Sequence, residues 1–241
     1  MTAIVTGASS GFGLGIATAL AASGEHVIGV ARDSGKLATV KAQLGDAFTP
    51  VAADAADPEV AARLIEEHRP HILVLNAGAA PPIGPIHEQT WQSFSRNWEV
   101  DVQQVFNWTR EALLKPLAPD TVVVAFSSGA ALRGSPMSGG YAGAKATVRF
   151  ITGYAADESD RASLGIRFLS ILPQLTPATA LGEIGVAAYA SREGIDVAAF
   201  KARMGPPLTP EQAGKAVLSL ISDPASHGAY QLTTAGLTEL N

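Results

Sequence analysis

The chain has 241 residues and a net charge of −5, and 47% of its residues are hydrophobic while 16% are charged. The acidic balance argues against nucleic acid as a partner, and no run approaches the roughly 18 uninterrupted apolar residues of a membrane span. The chain lacks cysteine, which excludes a disulfide framework, and its N-terminus lacks a signal-peptide pattern, so we expect a cytoplasmic protein.

Short apolar runs alternate with segments of helical pattern along the chain. The predicted strands cover residues 3–6, 26–31, 48–53, 72–75, 121–126, 166–171 and 229–232. The predicted helices cover residues 13–22, 35–44, 58–67, 91–114, 141–163 and 210–222. Because strands that alternate with helices form right-handed crossovers, we predict a single-domain α/β fold over residues 1–241. Its doubly wound sheet has about seven mostly parallel strands flanked by helices.

The segment 173–207 does not fit this alternation. It is too long for an ordinary connection, and it contains two prolines, Pro173 and Pro177, together with several glycines. Long connections in compact domains are often lids or binding loops. We therefore predict a substrate-binding lid here, with a short helix within the alanine-rich sequence GVAAYASREG.

A glycine-rich turn follows the first predicted strand, in the sequence TGASSGFGLG. Glycines at 7, 11 and 13 allow a tight turn and a close approach to a ligand. The helix that follows offers free N–H groups and a positive dipole end to a pyrophosphate. The alternative is a tight strand-to-helix turn that binds nothing. The spacing T-G-x-x-x-G-x-G differs from the general dinucleotide fingerprint, and no Walker phosphate loop is present.

Four short motifs occur together along the chain: TGASSGFG at 6–13, NAG at 76–78, SS at 127–128 and YAGAK at 141–145. In this order and at these separations they resemble the short-chain dehydrogenase/reductase family. The resemblance implies a Rossmann-type domain that moves hydride between NAD(P)(H) and an alcohol or carbonyl carbon. It also implies a homodimer or homotetramer whose interfaces lie on the helices near 91–114 and 141–163.

Tyr141 and Lys145 are four positions apart, so they share one face of the predicted helix. Carbonyl reduction needs a general acid within hydrogen-bond reach. A free phenol titrates near 10, and a neighbouring ammonium group favours its ionised form. The alternative is a packed helix interface without chemistry. The resemblance assigns proton transfer to Tyr141, the nicotinamide ribose hydroxyls to Lys145, and the substrate oxygen to Ser128 rather than Ser127.

The end of the second predicted strand bears on the choice between NAD and NADP. Ala31 stands where an acidic residue would bind the ribose 2′-hydroxyl of NAD, and Arg32 follows it. An arginine pairs with the 2′-phosphate of NADP, so NADP(H) is favoured. NAD(H) is the alternative, because a small register error would bring Asp33 to this place.

The resemblance extends the cofactor site to the ends of other strands. Asp54 resembles the family's adenine contact, and helix capping is its alternative role. After the sixth strand, either Thr176 or Thr179 supplies the hydroxyl for the nicotinamide amide or the pyrophosphate. The implied cofactor-binding set is Gly7, Ser9, Ser10, Gly11, Phe12, Gly13, Arg32, Asp54, Ala55, Asn76, Ala77, Gly78, Tyr141, Lys145, Pro173 and Thr176.

The chain departs from the family pattern in three places. In NWEVDVQQVF, Asp101 stands where the family has asparagine and Gln104 where it has glycine, unless a shifted register gives that place to Asn97. We count Asp101 among the catalytic residues and predict an altered pH optimum, because a carboxylate near Lys145 offsets part of its field. Gln174 replaces a glycine after the sixth strand, and the C-terminus lacks the family's Asp-Gly-Gly ending.

These patterns predict an NADP(H)-dependent oxidoreductase that interconverts a small, mainly apolar carbonyl compound and its alcohol. The alternative is a cofactor-binding sensor or scaffold protein that has lost turnover, which Asp101 and Gln174 would support. An epimerase or a dehalogenase-like protein is a third hypothesis, and Lys145 and the intact glycine turn argue against the dehalogenase. The histidine spacing suggests no catalytic metal.

Overall fold

The computed structural model describes residues 1–240, which form one eight-stranded sheet and ten α-helices. The strands are β1 (Thr2–Thr6), β2 (His26–Ala31), β3 (Phe48–Ala52), β4 (Ile72–Leu75), β5 (Val122–Phe126), β6 (Arg167–Pro173), β7 (Gly228–Thr233) and β8 (Gly236–Leu240). Their spatial order is β3-β2-β1-β4-β5-β6-β7-β8. All neighbouring strands pair in parallel except β7 and β8, which are antiparallel.

The helices connect these strands in chain order. They are α1 (Gly11–Ala22), α2 (Ser34–Leu44), α3 (Pro58–His68), α4 (Trp91–Ser95), α5 (Gln103–Leu114), α6 (Ala130–Arg133), α7 (Gly139–Arg161), α8 (Ala180–Glu193), α9 (Val197–Met204) and α10 (Pro210–Ser222). Two of them begin as their sequences indicate. Asp57 accepts a hydrogen bond from the N–H of Glu59 at 2.8 Å before α3, and Thr209 caps α10, each followed by proline.

Two buried apolar clusters cover the two faces of the sheet, and the alternation of side chains along each strand sorts residues between them. In β1, Ala3 and Val5 belong to the cluster formed with α1, α2 and α10. Ile4 points the other way, into the cluster formed with α3, α5 and α7. The prediction of a doubly wound α/β sheet with helices on both faces is therefore confirmed.

Three predicted elements differ from the observed ones. The single helix predicted over 91–114 is interrupted, because a π-helical turn at Trp98–Val102 separates α4 from α5. The segment 173–207 is mostly helical and contains α8 and α9 rather than one short helix. The last strand, β8, follows β7 through a two-residue turn and was not predicted, because a five-residue run at the sheet edge carries little apolar pattern.

None of the helices formed by residues 1–240 is both long enough and apolar enough to cross a membrane.

Candidate active site

A cleft of about 1630 Å³ opens where β1, β2, β4, β5 and β6 end. The carboxyl ends of parallel strands meet at one edge of a sheet, and ligands bind there in open α/β folds. All of the predicted catalytic residues border this cleft, and so does every predicted cofactor-binding residue other than Gly13. Side chains far apart in sequence are thus brought together at the predicted edge.

The glycine-rich turn forms one wall of the cleft. Gly7 and Gly11 have positive φ angles of 69° and 53°, which favour glycine. Gly13 lies beneath the turn, where an added Cβ atom would come within 2.1 Å of the carbonyl oxygen of Gly7. Within the described chain, Ser10 leaves the N-terminus of α1 without a side-chain cap. The free N–H groups in the first turn of α1 therefore remain available to an anion.

Two cationic side chains border the cleft after β2. Arg32 is exposed, and no carboxylate among residues 1–240 lies within ion-pairing distance of its guanidinium. Asp33, by contrast, caps α2 by accepting a hydrogen bond from the N–H of Lys36 at 3.0 Å, which is the main reason that its pKa is lowered. The ammonium of Lys36 lies 3.7 Å from the same carboxylate. Asp33 is thus committed to the helix, and Arg32 is the available side chain.

The exits of β3 and β4 form the floor of the cleft. The carboxylate of Asp54 accepts a hydrogen bond from the N–H of Ala56 at 2.9 Å, so it closes a turn, while Asp57 caps α3. The buried indole of Trp108 donates to the carbonyl oxygen of Ala55 at 2.8 Å. These bonds place the backbone of the turn against α5 and leave Asp54 at the surface of the cleft.

The two serines after β5 have different surroundings. Ser127 is buried and donates to the carbonyl oxygen of Lys145 at 2.6 Å, so it joins β5 to α7. Ser128 is only partly buried and borders the cleft, where its oxygen accepts a hydrogen bond from the N–H of Ala130 at 3.2 Å. Both serines border the cleft, but the Ser127 hydroxyl is committed to the carbonyl oxygen of Lys145 and Ser128 is the more exposed of the two.

Tyr141 and Lys145 lie one turn apart near the start of α7, as their spacing predicts. The ammonium nitrogen of Lys145 is 5.7 Å from the centre of the Tyr141 ring. The same nitrogen donates to the carbonyl oxygen of Phe126 at 2.9 Å. The lysine therefore joins the end of β5 to the phenol on its own helix.

Lys145 also forms a buried ion pair with Asp101, whose Oδ2 lies 3.1 Å from the ammonium nitrogen. The side chains are 7% and 1% exposed, so water screens the pair little. Burial by itself would lower the pKa of Lys145. The negative charge of Asp101, followed by that of the Tyr141 phenolate, outweighs this effect and raises the pKa above its usual value. The lysine is thus held in its charged form.

The π-helical turn is what brings Asp101 to Lys145. The N–H groups of Asp101 and Val102 both lie within hydrogen-bond distance of the carbonyl oxygen of Asn97, at 2.8 and 3.3 Å. Oδ1 of Asp101 accepts from the N–H of Ala79 at 2.9 Å, and the Asn97 amide donates to the carbonyl oxygen of Ala79 at 2.9 Å. Asp101 therefore forms the ion pair with the lysine, whereas the Asn97 amide bonds to the loop after β4.

The threonines after β6 also differ from each other. Thr176 is buried and its hydroxyl donates to the carbonyl oxygen of Leu208 at 2.8 Å. Thr179 caps α8 and lies beside the glycine turn, within 3.5 Å of the position that a Cβ atom of Gly11 would occupy. Gln174 also borders the cleft. Thr179 thus faces the turn more directly than Thr176 does.

Two features of the site were missed at the level of sequence. Gln104 is buried beneath the NAG turn and donates to the carbonyl oxygen of Ala77, but nothing in the sequence QQVFNWTRE distinguishes it from its exposed neighbour Gln103. Tyr189 on α8 borders the cleft, and its hydroxyl is 2.6 Å from that of Ser135. No local pattern could indicate that contact, because the two residues are 54 positions apart.

The cleft has hydrogen-bond donors and cationic side chains of the kind that bind a dinucleotide. The uncapped start of α1 suits a pyrophosphate, Arg32 suits an additional phosphate, and Lys145 and Tyr141 border the same cleft. Across residues 1–240, no group of three or more histidine, aspartate or glutamate side chains is placed to hold a metal ion.

Comparisons with known proteins show which family the chain belongs to. Residues 1–185 match the family model described as short chain dehydrogenase. A probable NADP-dependent dehydrogenase of Haemophilus influenzae is 30% identical over 190 residues, which cover 76% of this chain and 74% of that protein. The cis-4-hydroxycyclohexanecarboxylate dehydrogenase of Sinomonas cyclohexanicum is 31% identical over 98% of this chain and 96% of its own length.

The fold is similarly close to that of solved structures. The 3-ketoacyl-(acyl-carrier-protein) reductase of Brucella melitensis, solved in complex with NADH, superposes with a TM-score of 0.78 and 27% sequence identity. The superposition covers 95% of this chain and 94% of the reductase.

Proposed function

The chain belongs to the short-chain dehydrogenase family, and on this premise we propose that it is an NADP(H)-dependent oxidoreductase that interconverts a small carbonyl compound and its alcohol. The bound cofactor supplies or accepts the hydride. The observation that carries the proposal is the placement of Ser128, Tyr141 and Lys145 on one cleft, with the lysine charged beside the phenol.

The chain's own residues provide proton transfer and orientation. In reduction, the Tyr141 hydroxyl donates its proton to the developing alkoxide, and in oxidation the phenolate accepts the proton of the alcohol. Ser128 donates a hydrogen bond to the substrate oxygen and so orients the reacting carbon. The ammonium of Lys145 stabilises the phenolate, and its bonds to Phe126 and Asp101 fix its position.

Arg32 supports NADP(H) rather than NAD(H) as the cofactor. Its exposed guanidinium borders the cleft after β2, and Lys36 lies on the same side. An arginine can bind a phosphate through two parallel hydrogen bonds, and an acidic side chain at that place would repel it. Asp33 does not compete, since it caps α2.

The substrate end of the cleft is mostly apolar. Leu175 and Leu181 from the segment 173–207 border it, and Ile83 does so from the loop after β4. We propose that this segment covers the substrate and that a small, mainly apolar carbonyl compound fits there.

Homo-oligomerisation is also part of the proposal. Exposed aromatic side chains on α5 and α7, among them Phe106, Phe150 and Tyr154, are of the kind that subunit interfaces bury.

A turnover assay with Tyr141→Phe tests the function. The wild-type protein is mixed with NADPH or NADH and a panel of small ketones such as cyclohexanone and 2-butanone, and loss of nicotinamide absorbance is followed. We expect oxidation of NADPH by at least one ketone, and a loss of about 10²–10⁴-fold in kcat for Tyr141→Phe, because the general acid is removed. NADPH affinity should be nearly unchanged.

Tyr154→Phe on the exposed face of α7 is the matched control and should keep full activity. Equal activity of Tyr141→Phe and wild type would contradict the proton-transfer role. Tight NADPH binding without turnover of any ketone or alcohol would favour the sensor or scaffold hypothesis, and tighter binding of NADH than of NADPH would contradict the cofactor preference.

A further inference from the structure

Gln104 is buried beneath the cofactor cleft, in the first turn of α5. Its side chain is almost inaccessible, at 1% exposure, although it borders the cleft. A buried amide has to find hydrogen-bond partners, since an unsatisfied one costs stability. Its neighbour Gln103 is exposed on the same turn, so the two glutamines differ in surroundings rather than in chemistry.

Both ends of the Gln104 amide are bonded to backbone or side chains at the strand ends. Nε2 donates to the carbonyl oxygen of Ala77 at 2.9 Å, and Oε1 accepts from the hydroxyl of Thr6 at 2.5 Å. The Thr6 oxygen in turn accepts from the N–H groups of Asn76 and Ala77, at 2.9 and 3.1 Å. One side chain from α5 therefore connects the end of β1 with the turn that follows β4.

The turn that these bonds hold is packed against the glycine-rich turn. An added Cβ atom on Gly7 would lie 2.9 Å from the Cα atom of Ala77, and one on Gly13 would lie 2.6 Å from Nδ2 of Asn76. If the turn after β4 shifted, it would therefore either clash with the glycine-rich turn or move away from it. Gln104 therefore bonds to residues of both turns, at Thr6 and at Ala77.

We propose that Gln104 is a positioning residue for cofactor binding, which holds the Asn76–Gly78 turn in the one position that leaves the cleft open to the dinucleotide. This inference rests on the proposed function, since it concerns the same cofactor. Without the amide, the turn also populates other positions, which do not bind the cofactor. The apparent dissociation constant for the cofactor then equals the intrinsic one divided by the fraction of molecules whose turn is in the binding position.

The first experiment measures NADP⁺ binding by calorimetry for wild type, Gln104→Met and Gln103→Met. Methionine keeps the length of the side chain but removes both hydrogen bonds. Loss of two hydrogen bonds should lower the population of molecules with the turn in its binding position by about tenfold. We therefore expect a dissociation constant about tenfold higher for Gln104→Met and an unchanged one for Gln103→Met.

The second experiment separates positioning from a general loss of stability. In Gln104→Glu the neutral carboxylic acid can still donate to Ala77 and accept from Thr6, whereas the carboxylate cannot donate. Burial raises the pKa of a carboxyl group, so NADP⁺ affinity should recover as the pH falls from about 8.5 to about 5.5. Gln103→Glu, measured at the same pH values, accounts for titration of the cofactor's own phosphate.

The outcomes are distinct. Wild-type protein that fails to bind NADP⁺ overturns the proposed function itself. If Gln104→Met folds and binds NADP⁺ as tightly as the wild type does, the positioning role alone is overturned. If Gln104→Met does not fold, the two glutamate variants decide the matter. The positioning role is overturned if the NADP⁺ affinity of Gln104→Glu has the same pH dependence as that of Gln103→Glu.

Discussion

At the scale of single residues, the contact between Asp101 and Lys145 is the main departure from the family pattern. The carboxylate lies 3.1 Å from the ammonium group and both side chains are buried. A carboxylate this close offsets part of the positive field that the lysine exerts on Tyr141. It also keeps the lysine charged, since it raises the pKa of Lys145 against the effect of burial.

Asp101→Asn should change the pH dependence of catalysis. The asparagine can still accept a hydrogen bond from the N–H of Ala79. At any pH where Lys145 remains protonated, its positive field on Tyr141 is no longer offset, so the phenolate form is favoured. We expect the pH profile of alcohol oxidation to move about one pH unit lower. An unchanged profile would contradict the role given to Asp101, and Glu99→Gln, an exposed carboxylate on the same π-helical turn, is the control.

The same variant has a consequence for stability at high pH. Because the pKa of Lys145 is raised in the folded state, its stabilising charge is fully present below the ordinary value of 10.5 and is lost as the pH rises through the folded value. Asp101→Asn removes the cause of that rise. The denaturant midpoint of the variant should therefore fall less than that of the wild type as the pH rises above 10.5.

At the scale of secondary-structure elements, Arg167 joins β6 to the end of α10. Its guanidinium donates to the carbonyl oxygens of Ile221 at 3.0 Å and Asp223 at 2.8 Å, and it also contacts the carbonyl oxygens of Leu220 and Ser226. The last carbonyl groups of a helix have no partner within it and carry partial negative charge. A half-buried cation satisfies them here.

Arg167→Ala should therefore destabilise the fold. We expect the free energy of unfolding to fall by about 2 kcal/mol, because charge-assisted hydrogen bonds are lost and carbonyl groups remain partly buried. Urea unfolding followed by circular dichroism measures this. Arg161→Ala, which removes an exposed ion pair with Glu158, should change the free energy of unfolding much less, because water screens that pair. Equal effects of the two variants would contradict the explanation.

At the scale of the whole molecule, α5 and α7 pack side by side and present aromatic side chains to solvent. The rings of Phe150 and Tyr154 are stacked with their centres 6.4 Å apart, and Phe106 on α5 is also exposed. Single exposed apolar residues are ordinary, whereas a stacked pair beside others forms a patch. We propose that a second copy of the chain covers this face.

Light scattering after size-exclusion chromatography tests the oligomer. The wild type should have a mass of at least twice 24.8 kDa, and Phe150→Glu with Tyr154→Glu should reduce it to that of one chain, because the interface would bury two carboxylates. Val197→Glu, an exposed apolar position on α9, should leave the mass unchanged. A monomeric wild type would contradict the proposal.

Most of the sheet and the juxtaposition of Tyr141 and Lys145 could be predicted because their signals are local. β2 and β4 were predicted with their observed bounds, since each is a short apolar run between turns. The spacing of Tyr141 and Lys145 places them on one face wherever this segment is helical. The π-helical turn was not predictable in the same way, because it depends on bonds between Asn97 or Asp101 and the loop after β4.

The sequence alone determined the alternation of strands and helices, the glycine turn and the Tyr–Lys pair, because these follow from residue type and spacing along a few turns. Only the tertiary structure decided what those residues contact. It brought Asp101 to Lys145 and committed Asp33 to a helix cap, which leaves Arg32 available to the cleft. It also placed Gln104 beneath the NAG turn. Such contacts join residues that are tens of positions apart, and their geometry exists only once the sheet has assembled.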